Sequence, residues 1–326
     1  MTVVTPSVTA PLPVELNADD RSSVARVAEA LCGPGAFQVD DSSWVSRARA
    51  AWEESPVGLR RPLRAFRRDA GPHGAMIIRG LPVPEQALPD TPSVAGSVQR
   101  NATVSAASLI MVAAGLGDPT AFLPEKSGSL VHDVVPVPGQ EVFQGNAGSV
   151  LLEWHNENAF HPHRPDYVML LCLRADHEKI AGLRTACARQ VVPVLGDAAR
   201  EALFADEFIT AAPPSFDVGE CTVRHAVLTG APEDPDIQVD LAATTGQTPR
   251  ARMALRELRT AFDETALVHR LQPGELAIVD NRITVHGRTG FQPHYDGRDR
   301  WLQRTFVTND LRRSRHQRPA DGYVLM

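Results

Sequence analysis

The stretch that decides the fold lies between residues 273 and 307 and reads PGELAIVDNRITVHGRTGFQPHYDGRDRWLQRTFV. It holds short apolar runs at Leu276–Val279, Ile283–Val285 and Trp301–Val307, which are separated by Gly, Pro, Asn and Asp residues. Short runs rich in β-branched and aromatic side chains between such turn residues are typical of β-strands. The stretch therefore predicts strands of a β-rich domain.

The same pattern extends back to about residue 120. Further apolar runs bounded by turn residues are Leu130–Val135, Val150–Trp154, Tyr167–Leu173 and Ile237–Leu241. Helices are predicted between them, near residues 195–204 and 250–263. Many short strands with turn signals favour a sandwich or a barrel. We therefore expect a mainly β fold with flanking helices.

The first part of the chain has a different, helical pattern. Val24, Val27, Ala28 and Leu31 follow the spacing of one helix face, and a second helix is predicted around Trp44–Trp52. Residues 101–116 indicate a buried helix, and residues 76–80 a short strand. We expect a flexible segment over residues 1–20 and one domain over residues 21–326. Within that domain, a helical layer would cover about 21–118 and the β core about 119–310.

Composition excludes several classes of protein. The chain has 326 residues and a formal net charge of −6, whereas nucleic-acid binders usually have a basic balance. Its longest apolar stretch, around residues 106–114, is far shorter than the roughly 18 residues that span a bilayer. The four cysteines show no CxxC spacing, which argues against a cysteine-bound zinc ion. We therefore expect a cytoplasmic protein that acts on a small molecule and binds neither nucleic acid nor a membrane, with an oligomeric state that the sequence does not indicate.

Two histidines and a glutamate could form a metal site. His155 and Glu157 follow the run Val150–Trp154, and on a strand their side chains point to the same face. Taken alone, this pair is more often a buried, hydrogen-bonded His and Glu than a ligand pair. His286 follows the separate run Ile283–Val285. Two His and one carboxylate make the facial triad of non-haem Fe(II) oxygenases, although zinc hydrolases use the same ligand types.

Arg300 favours the oxygenase. It lies fourteen residues after His286, at the start of the run Trp301–Val307. A permanently charged, forked guanidinium suits the distal carboxylate of a dicarboxylic co-substrate, which a hydrolase does not need. The alternative is an ordinary surface arginine in an arginine-rich chain.

Longer motifs carry a family resemblance. The stretches HNENAFHPHRPDYVMLLCLRADH from residue 155, GLRTACARQV from residue 182 and the whole of 273–307 resemble the clavaminate-synthase-like branch of Fe(II)/2-oxoglutarate-dependent oxygenases. The likeness also covers FRRDAGPHGAMIIRGLP, AAGLGDPTAFLPEKSG and the tail DLRRSRHQRPADGYVL, and so nearly the whole chain after residue 20. It implies a double-stranded β-helix, or jelly-roll, core. It also implies that His155, Glu157 and His286 bind the iron and that Arg300 binds the 5-carboxylate of 2-oxoglutarate.

The resemblance further implies a substrate and its contacts. Thr185 would add a hydroxyl to the 2-oxoglutarate site, and the segment 211–220 would act as a lid. The reaction would be 3-hydroxylation of free L-asparagine with O₂, coupled to decarboxylation of 2-oxoglutarate, and would supply a nonribosomal peptide antibiotic. Arg304 would bind the α-carboxylate, Glu125 the α-ammonium, and Asn146 and Asp240 the side-chain amide.

An ionised Asp240 can accept hydrogen bonds from an amide NH₂ but repels a second carboxylate, which favours asparagine over aspartate. Three alternatives stay open. They are the same chemistry on another free amino acid such as L-arginine, a zinc hydrolase, and a non-catalytic protein that binds 2-oxoglutarate.

Overall fold

Two β-sheets lie face to face, with helices on their outer sides, in the computed structural model, which describes residues 12–33, 35, 37–216 and 223–326. The α-helices in these ranges are α1 (Ala18–Cys32), α2 (Ser42–Trp52), α3 (Val57–Arg68), α4 (Val104–Leu116), α5 (Ala188–Val191), α6 (Asp197–Leu203) and α7 (Pro249–Thr265). The strands are β1 (Val14–Glu15), β2 (Ala75–Arg79), β3 (Asp118–Phe122), β4 (His132–Val134), β5 (Leu152–His155), β6 (Tyr167–Arg174), β7 (Leu183–Cys187), β8 (Phe208–Thr210), β9 (Leu228–Ala231), β10 (Asp234–Ile237), β11 (Thr244–Gly246), β12 (Leu267–His269), β13 (Glu275–Asp280), β14 (Thr284–Arg288), β15 (Trp301–Thr308) and β16 (Val324–Leu325).

The larger sheet has eight strands. Its order is β1-β2-β13-β6-β15-β3-β16, and β4 also pairs with β15. The smaller sheet has the order β12-β7-β14-β5, and two antiparallel strand pairs, β9 with β10 and β8 with β11, lie outside both sheets. The predicted jelly-roll core is confirmed by this arrangement and by the comparisons below.

Side-chain alternation explains the layers. On β6, Met169 and Leu171 pack with the helices α1 to α4, while Leu170 and Cys172 pack between the sheets. Both faces of this strand are buried from Tyr167 to Leu173, so its sequence is apolar from Val168 to Leu173. On the smaller sheet the same alternation turns Ala186 and Val285 outward, against α5, α6 and α7. It thereby turns their neighbours Thr185 and His286 inward, between the sheets.

Several predicted elements have different bounds in the structure. The helix expected over 101–116 begins at Val104, because Thr103 caps it by accepting a hydrogen bond from the amide of Ala106 at 3.3 Å. The helix α3 was not predicted, and Pro56 lies at the N-terminus of α3. The strand expected over 237–241 is wrong beyond its first residue. Strand β10 ends at Ile237, because the carbonyl and side chain of Asp240 then accept amide hydrogen bonds from the following turn.

The predicted domain limits also need correction. The boundary at residue 20 falls inside α1, and Leu16, which is 1% exposed, belongs to the core. The β core does not end at about residue 310, because β16 pairs in parallel with β3 and buries Leu325. The expected flexible segment lies outside the described residues over 1–11. No helix in the described ranges has the length and apolar character needed to cross a membrane.

Candidate active site

The predicted metal ligands meet on two neighbouring strands of the smaller sheet. His155 on β5 lies directly opposite His286 on β14, with ring centroids 4.3 Å apart. Glu157 follows β5, and its Oε2 lies 3.6 Å from Nε2 of His286. One ligand atom of each residue lies within 4.8 Å of those of the other two. The three side chains are therefore in place to share one ion.

The surroundings of Glu157 and His286 favour the protonation states that metal ligands need. Burial opposes ionisation of Glu157, but Arg304 and the two imidazoles outweigh it and hold its pKa below the ordinary range. Burial, and then the imidazole of His155, lower the pKa of His286 to about 4. Oε2 of Glu157 is buried and has no hydrogen-bond partner among the described residues. An ionised carboxylate with an unpaired oxygen beside two imidazoles fits a divalent cation, and the donor set suits Fe(II).

A backbone contact orients His155. Its Nδ1 lies 2.9 Å from the carbonyl oxygen of Glu153, so Nδ1 donates a hydrogen bond there. Nε2 is then left without a proton and free to bind a metal. Such a partner for the second ring nitrogen fixes both the tautomer and the ring orientation of a ligand histidine.

Two buried asparagines, which sequence reasoning missed, join the strands that carry the ligands. Asn156 donates from Nδ2 to the carbonyl oxygens of Asn281 at 2.9 Å and Thr284 at 3.1 Å. Asn281 accepts from the amide of Glu157 at 2.8 Å and donates to its carbonyl oxygen at 3.1 Å. This asparagine clamp fixes the backbone of Glu157 against the turn before β14. In the sequence Asn156 stands between two predicted ligands and Asn281 in a predicted turn, and neither position indicates this contact.

Arg304 on β15, in the larger sheet, donates hydrogen bonds to four polar side chains. It donates to Oε1 of Glu157 at 2.9 Å, to Oε1 of Glu125, and more weakly to Oδ1 of Asn146 at 3.4 Å. It also donates to Nδ1 of His132 at 2.9 Å, a residue that the sequence analysis missed. Burial opposes its charge, but Glu157 and then Glu125 raise the pKa of Arg304. Arg304 therefore stays cationic beside the metal ligands.

A cavity of about 670 Å³ opens onto these groups. Its volume is in the range of small-molecule sites. Six of the nine predicted site residues line it: Glu125, Asn146, His155, Glu157, Asp240 and Arg304.

Asp240 reaches the cavity from a turn. Its backbone makes an isolated β-bridge with His155, and its Oδ1 accepts a hydrogen bond from the amide of Ala242 at 2.8 Å. The other carboxylate oxygen has no partner in the described part of the chain. Asp240 therefore has an acceptor free for a ligand close to the metal ligands.

The remaining three predicted residues do not line this cavity and are buried. Thr185 lies directly opposite His286 across β7 and β14, and its hydroxyl lies 3.2 Å from Nε2 of His269. Arg300 is 6% exposed, and within the described ranges it has no hydrogen-bond or ion-pair partner. Burial lowers the pKa of Arg300. A buried guanidinium without a carboxylate is costly, so its position indicates an anion site.

A second buried guanidinium, also missed from the sequence, lies near Arg300. Burial, and then the charge of Arg300, lower the pKa of Arg288 to about 9. Arg288 donates to the carbonyl oxygens of Gly145 at 3.3 Å and Val150 at 3.0 Å. It thereby ties β14 to the loop that carries Asn146.

The predicted lid is only partly described. Residues 217–220 of the segment 211–220 lie outside the described residues. Phe216 lines the cavity and packs on Phe160, with ring centroids 4.7 Å apart. The lid itself stays a prediction.

Two sheets that enclose a His, a Glu and a second His beside buried arginines define the class of non-haem Fe(II) oxygenases. Residues 198–306 match the model of the family described as taurine catabolism dioxygenase TauD, TfdA family. The chain is 62% identical over 313 residues to L-asparagine oxygenase of Streptomyces coelicolor, covering 96% of this chain and 94% of the relative. It is 32% identical to clavaminate synthase 2 of Streptomyces clavuligerus, over 85% of this chain and 87% of the relative.

A solved structure is similar throughout. It is asparagine oxygenase in complex with Fe(II), 2S,3S-3-hydroxyasparagine and succinate, with a TM-score of 0.94 and 61% identity, covering 97% of this chain and 99% of that one. This chain belongs to the TauD/TfdA family of dioxygenases. The resemblance inferred from the sequence motifs is confirmed.

Proposed function

We propose that this protein hydroxylates C3 of free L-asparagine in a reaction that consumes 2-oxoglutarate and O₂ and requires Fe(II). The observation that carries the proposal is the shared cavity. Cationic Arg304 and the acidic Glu125 face it together with Asn146 and Asp240, beside the metal ligand Glu157. One amino acid with an amide side chain can contact all of these groups at once. The similarity to L-asparagine oxygenase supports the same substrate.

Arg300 and Thr185, which are buried and do not line the cavity, would hold the co-substrate. His155, Glu157 and His286 would hold the iron. Arg300 would bind the 5-carboxylate of 2-oxoglutarate, and Thr185 would add a hydroxyl to the 2-oxoglutarate site. The iron supplies the activation of O₂, with one oxygen atom entering succinate and the other asparagine, while 2-oxoglutarate loses CO₂. The protein positions both substrates and keeps water from the reacting atoms. Succinate in the similar asparagine oxygenase structure is the expected product of this decarboxylation.

The α-carboxylate and α-ammonium of the substrate carry charges complementary to those of an ion pair in the cavity. Arg304 and Glu125 pair with each other in the structure, and Nε of Arg304 is buried without a partner in the described residues. An amino acid carries the complementary charges, so its carboxylate binds Arg304 and its ammonium binds Glu125. Because Arg304 also contacts Glu157, the α-carbon is held next to the metal ligands.

Asn146 and Asp240 form hydrogen bonds with the side-chain amide of the substrate. The free carboxylate oxygen of Asp240 accepts from the substrate NH₂, and the amide of Asn146 pairs with the substrate carbonyl. A substrate carboxylate would face a like charge at Asp240. The product would be (2S,3S)-3-hydroxyasparagine, as in the similar structure.

A screen of free amino acids tests the proposal. The purified protein is incubated with Fe(II), 2-oxoglutarate and O₂, and products are analysed by mass spectrometry. We expect asparagine to gain one oxygen atom, with one succinate formed for each product molecule, and no product without iron. Oxygen incorporation into arginine instead of asparagine would support the first alternative, and hydrolysis with zinc and no 2-oxoglutarate consumption would support the second. Binding of 2-oxoglutarate without turnover of any amino acid would support the non-catalytic alternative.

Three further expectations remain predictions. Residues 21–326 would form one catalytic domain, with the corrections to its limits given above. The protein would act in the cytoplasm, without contact with nucleic acid or membrane. Its product would enter the biosynthesis of a nonribosomal peptide antibiotic.

A further inference from the structure

A second group of potential metal ligands lies on the surface, in two loops that the proposed reaction does not use. His177 belongs to the connection between β6 and β7, and His294 and Asp296 belong to the connection between β14 and β15. The imidazole centroids lie 3.9 Å apart with ring planes 4° from parallel. Nε2 of His177 lies 3.1 Å from Oδ2 of Asp296. One potential ligand atom of each residue lies within 4.8 Å of those of the other two.

Buried carboxylates hold the backbone of both loops. Asp176 accepts hydrogen bonds from two backbone amides of its own loop, at 2.9 and 3.0 Å. Asp299 accepts from the amides of His294 at 2.7 Å and Tyr295 at 2.6 Å. Both aspartates are 4% exposed. The side chains of His177 and His294 are exposed. The main chain beneath them is nevertheless held in place by the two buried aspartates.

The loop after β14 also adopts a rare backbone conformation. Tyr295, between His294 and Asp296, has φ of 58°, in the left-handed region that non-glycine residues seldom occupy. Such conformations persist where the surroundings enforce them, and they are frequent at binding sites. Here the amide of Tyr295 is held by Asp299, and the bend leaves both flanking side chains near His177.

We propose that His177, His294 and Asp296 bind one divalent transition-metal ion of the zinc and copper class, at a surface site separate from the iron ligands. Two imidazoles and one carboxylate suit such ions, whereas Mg²⁺ and Ca²⁺ prefer oxygen ligands alone. Glu178, whose Oε1 lies 2.9 Å from Nε2 of His294, is a carboxylate that can complete the coordination. The inference does not depend on the proposed substrate.

Binding requires only side-chain rotation. The lone pair of an imidazole lies in the plane of its ring, so stacked rings must turn about χ2 to aim at one ion. The side chains of His177 and His294 are 26% and 43% exposed, so solvent leaves room for this movement. The metal then replaces the proton that Nε2 of His177 shares with Asp296, and the proton leaves to solvent.

The bound ion would link two loops that meet near the co-substrate site. Asp299, which supports His294, directly precedes Arg300 in the sequence. Because the ion binds only the folded arrangement of the two loops, it should raise the melting temperature as its concentration increases.

Zinc binding to the metal-free protein, measured by equilibrium dialysis with Zn²⁺, tests the proposal. We expect two zinc ions per wild-type chain, one at each site. The double variant His177→Ala, His294→Ala should retain one, and so should His286→Ala, which lacks a ligand of the other site. The control His316→Ala removes an exposed histidine elsewhere and should still bind two.

A second measurement makes the assignment specific. In His286→Ala, Cu²⁺ should give an electron paramagnetic resonance spectrum with coupling to two nitrogen nuclei, and adding the two surface substitutions should remove it. The double variant should keep wild-type circular dichroism and Fe(II)-dependent turnover, because neither histidine contacts the active site. The proposal is overturned if the wild type binds a single zinc ion that His286→Ala abolishes. It is equally overturned if the second zinc ion remains in the double variant.

Discussion

At the scale of single residues, Arg300 is a buried charge that lacks a counter-charge in the described structure. If it binds the 5-carboxylate of 2-oxoglutarate, Arg300→Ala removes up to two charge-assisted hydrogen bonds, each worth about 1.5–3 kcal/mol. We expect the affinity for 2-oxoglutarate to fall roughly 10²- to 10⁴-fold, with a much smaller change for asparagine. Titration of the Fe(II)-loaded protein with each ligand measures both effects.

A matched control lies two residues earlier. Arg298 is exposed, so Arg298→Ala should leave both affinities unchanged. If Arg300→Ala weakens asparagine binding and spares 2-oxoglutarate, the roles given to Arg300 and Arg304 must be exchanged.

Asp240 carries the prediction of substrate identity. Asp240→Asn keeps the volume of the side chain but replaces one acceptor with an NH₂ donor and removes the negative charge. The variant should lose asparagine turnover and gain hydroxylation of aspartate. A polar group that is covered by the substrate and left unpaired, or that faces a like charge, discriminates strongly. With arginine as the true substrate, the variant would weaken arginine turnover and gain no aspartate activity. The values of kcat/KM for the three amino acids in both proteins decide between these outcomes.

Single residues were predicted best where their chemistry is unusual. His155, Glu157 and His286 are rare metal-binding types at a recognisable spacing, and the structure brings them together. His132 and Arg288 were missed because their importance lies in what they contact, and those contacts join residues far apart in the chain. A single sequence does not report such pairs.

At the scale of elements, the asparagine clamp between β5 and β14 holds two parts of the metal site together. Asn281→Ala would leave the amide and carbonyl of Glu157 without their buried partner. Each such group costs about 1–3 kcal/mol, so we expect the free energy of unfolding to fall by at least about 2 kcal/mol. Fe(II) affinity should also fall, because Glu157 loses its backbone support. Denaturant unfolding and Fe(II) titration measure the two effects.

The matched control for the clamp is Asn101→Ala. Asn101 is exposed, and its side chain contacts Gln38 on the surface, so its removal should change neither stability nor Fe(II) affinity. Unchanged Fe(II) affinity in a folded Asn281→Ala protein would show that β5 and β14 position the ligands without the clamp.

Elements were predicted where apolar periodicity and burial agree. The buried stripe of α1 was read directly from Val24, Val27 and Leu31. The helix α3 was missed because its sequence, VGLRRPLRAFRR, contains a proline and five arginines. These residues obscure the helical spacing of the buried Leu59, Leu63 and Phe66. Strand β10 was misplaced because the run after Ile237 pairs with β5 only through the isolated bridge between Asp240 and His155 and then turns. Val239 is nevertheless buried like a strand residue, so the sequence pattern is the same.

At the scale of the whole molecule, two sheets and two groups of helices form four layers, and the polar active-site groups lie in the space between the sheets. The helices α1 to α4 and α5 to α7 cover the outer faces of the two sheets, and the active-site groups lie between the sheets. The sequence could indicate many strands and flanking helices, but not which strands pair, because pairing joins β13 to β2 and β6 across large sequence separations. For this reason, the jelly-roll core was predicted from the family resemblance and not from the pattern of strands alone.

The enclosed interior also makes the stability of the metal-free protein depend on pH. Burial is the main cause that lowers the pKa of His132, of His161 to about 4, and of His269. In the unfolded chain each of these histidines takes up a proton near pH 6.5, at about its reference pKa. As the pH falls below about 6.5, the unfolded state therefore binds more protons than the folded state, and the free energy of unfolding decreases until the folded histidines titrate. The stabilisation is fully present above that pH and is lost towards about pH 4.

We therefore expect the melting temperature of the metal-free protein to fall between about pH 7 and about pH 5, before most carboxylates titrate. His161 offers a matched variant, because it lies outside the cavity lining and its Nδ1 accepts one hydrogen bond, from the amide of His163 at 3.0 Å. His161→Gln keeps an acceptor but cannot titrate, so it should reduce the slope of melting temperature against pH. A melting temperature that is constant or rises towards about pH 5 in the wild type would show that the buried histidines accept protons in the folded state.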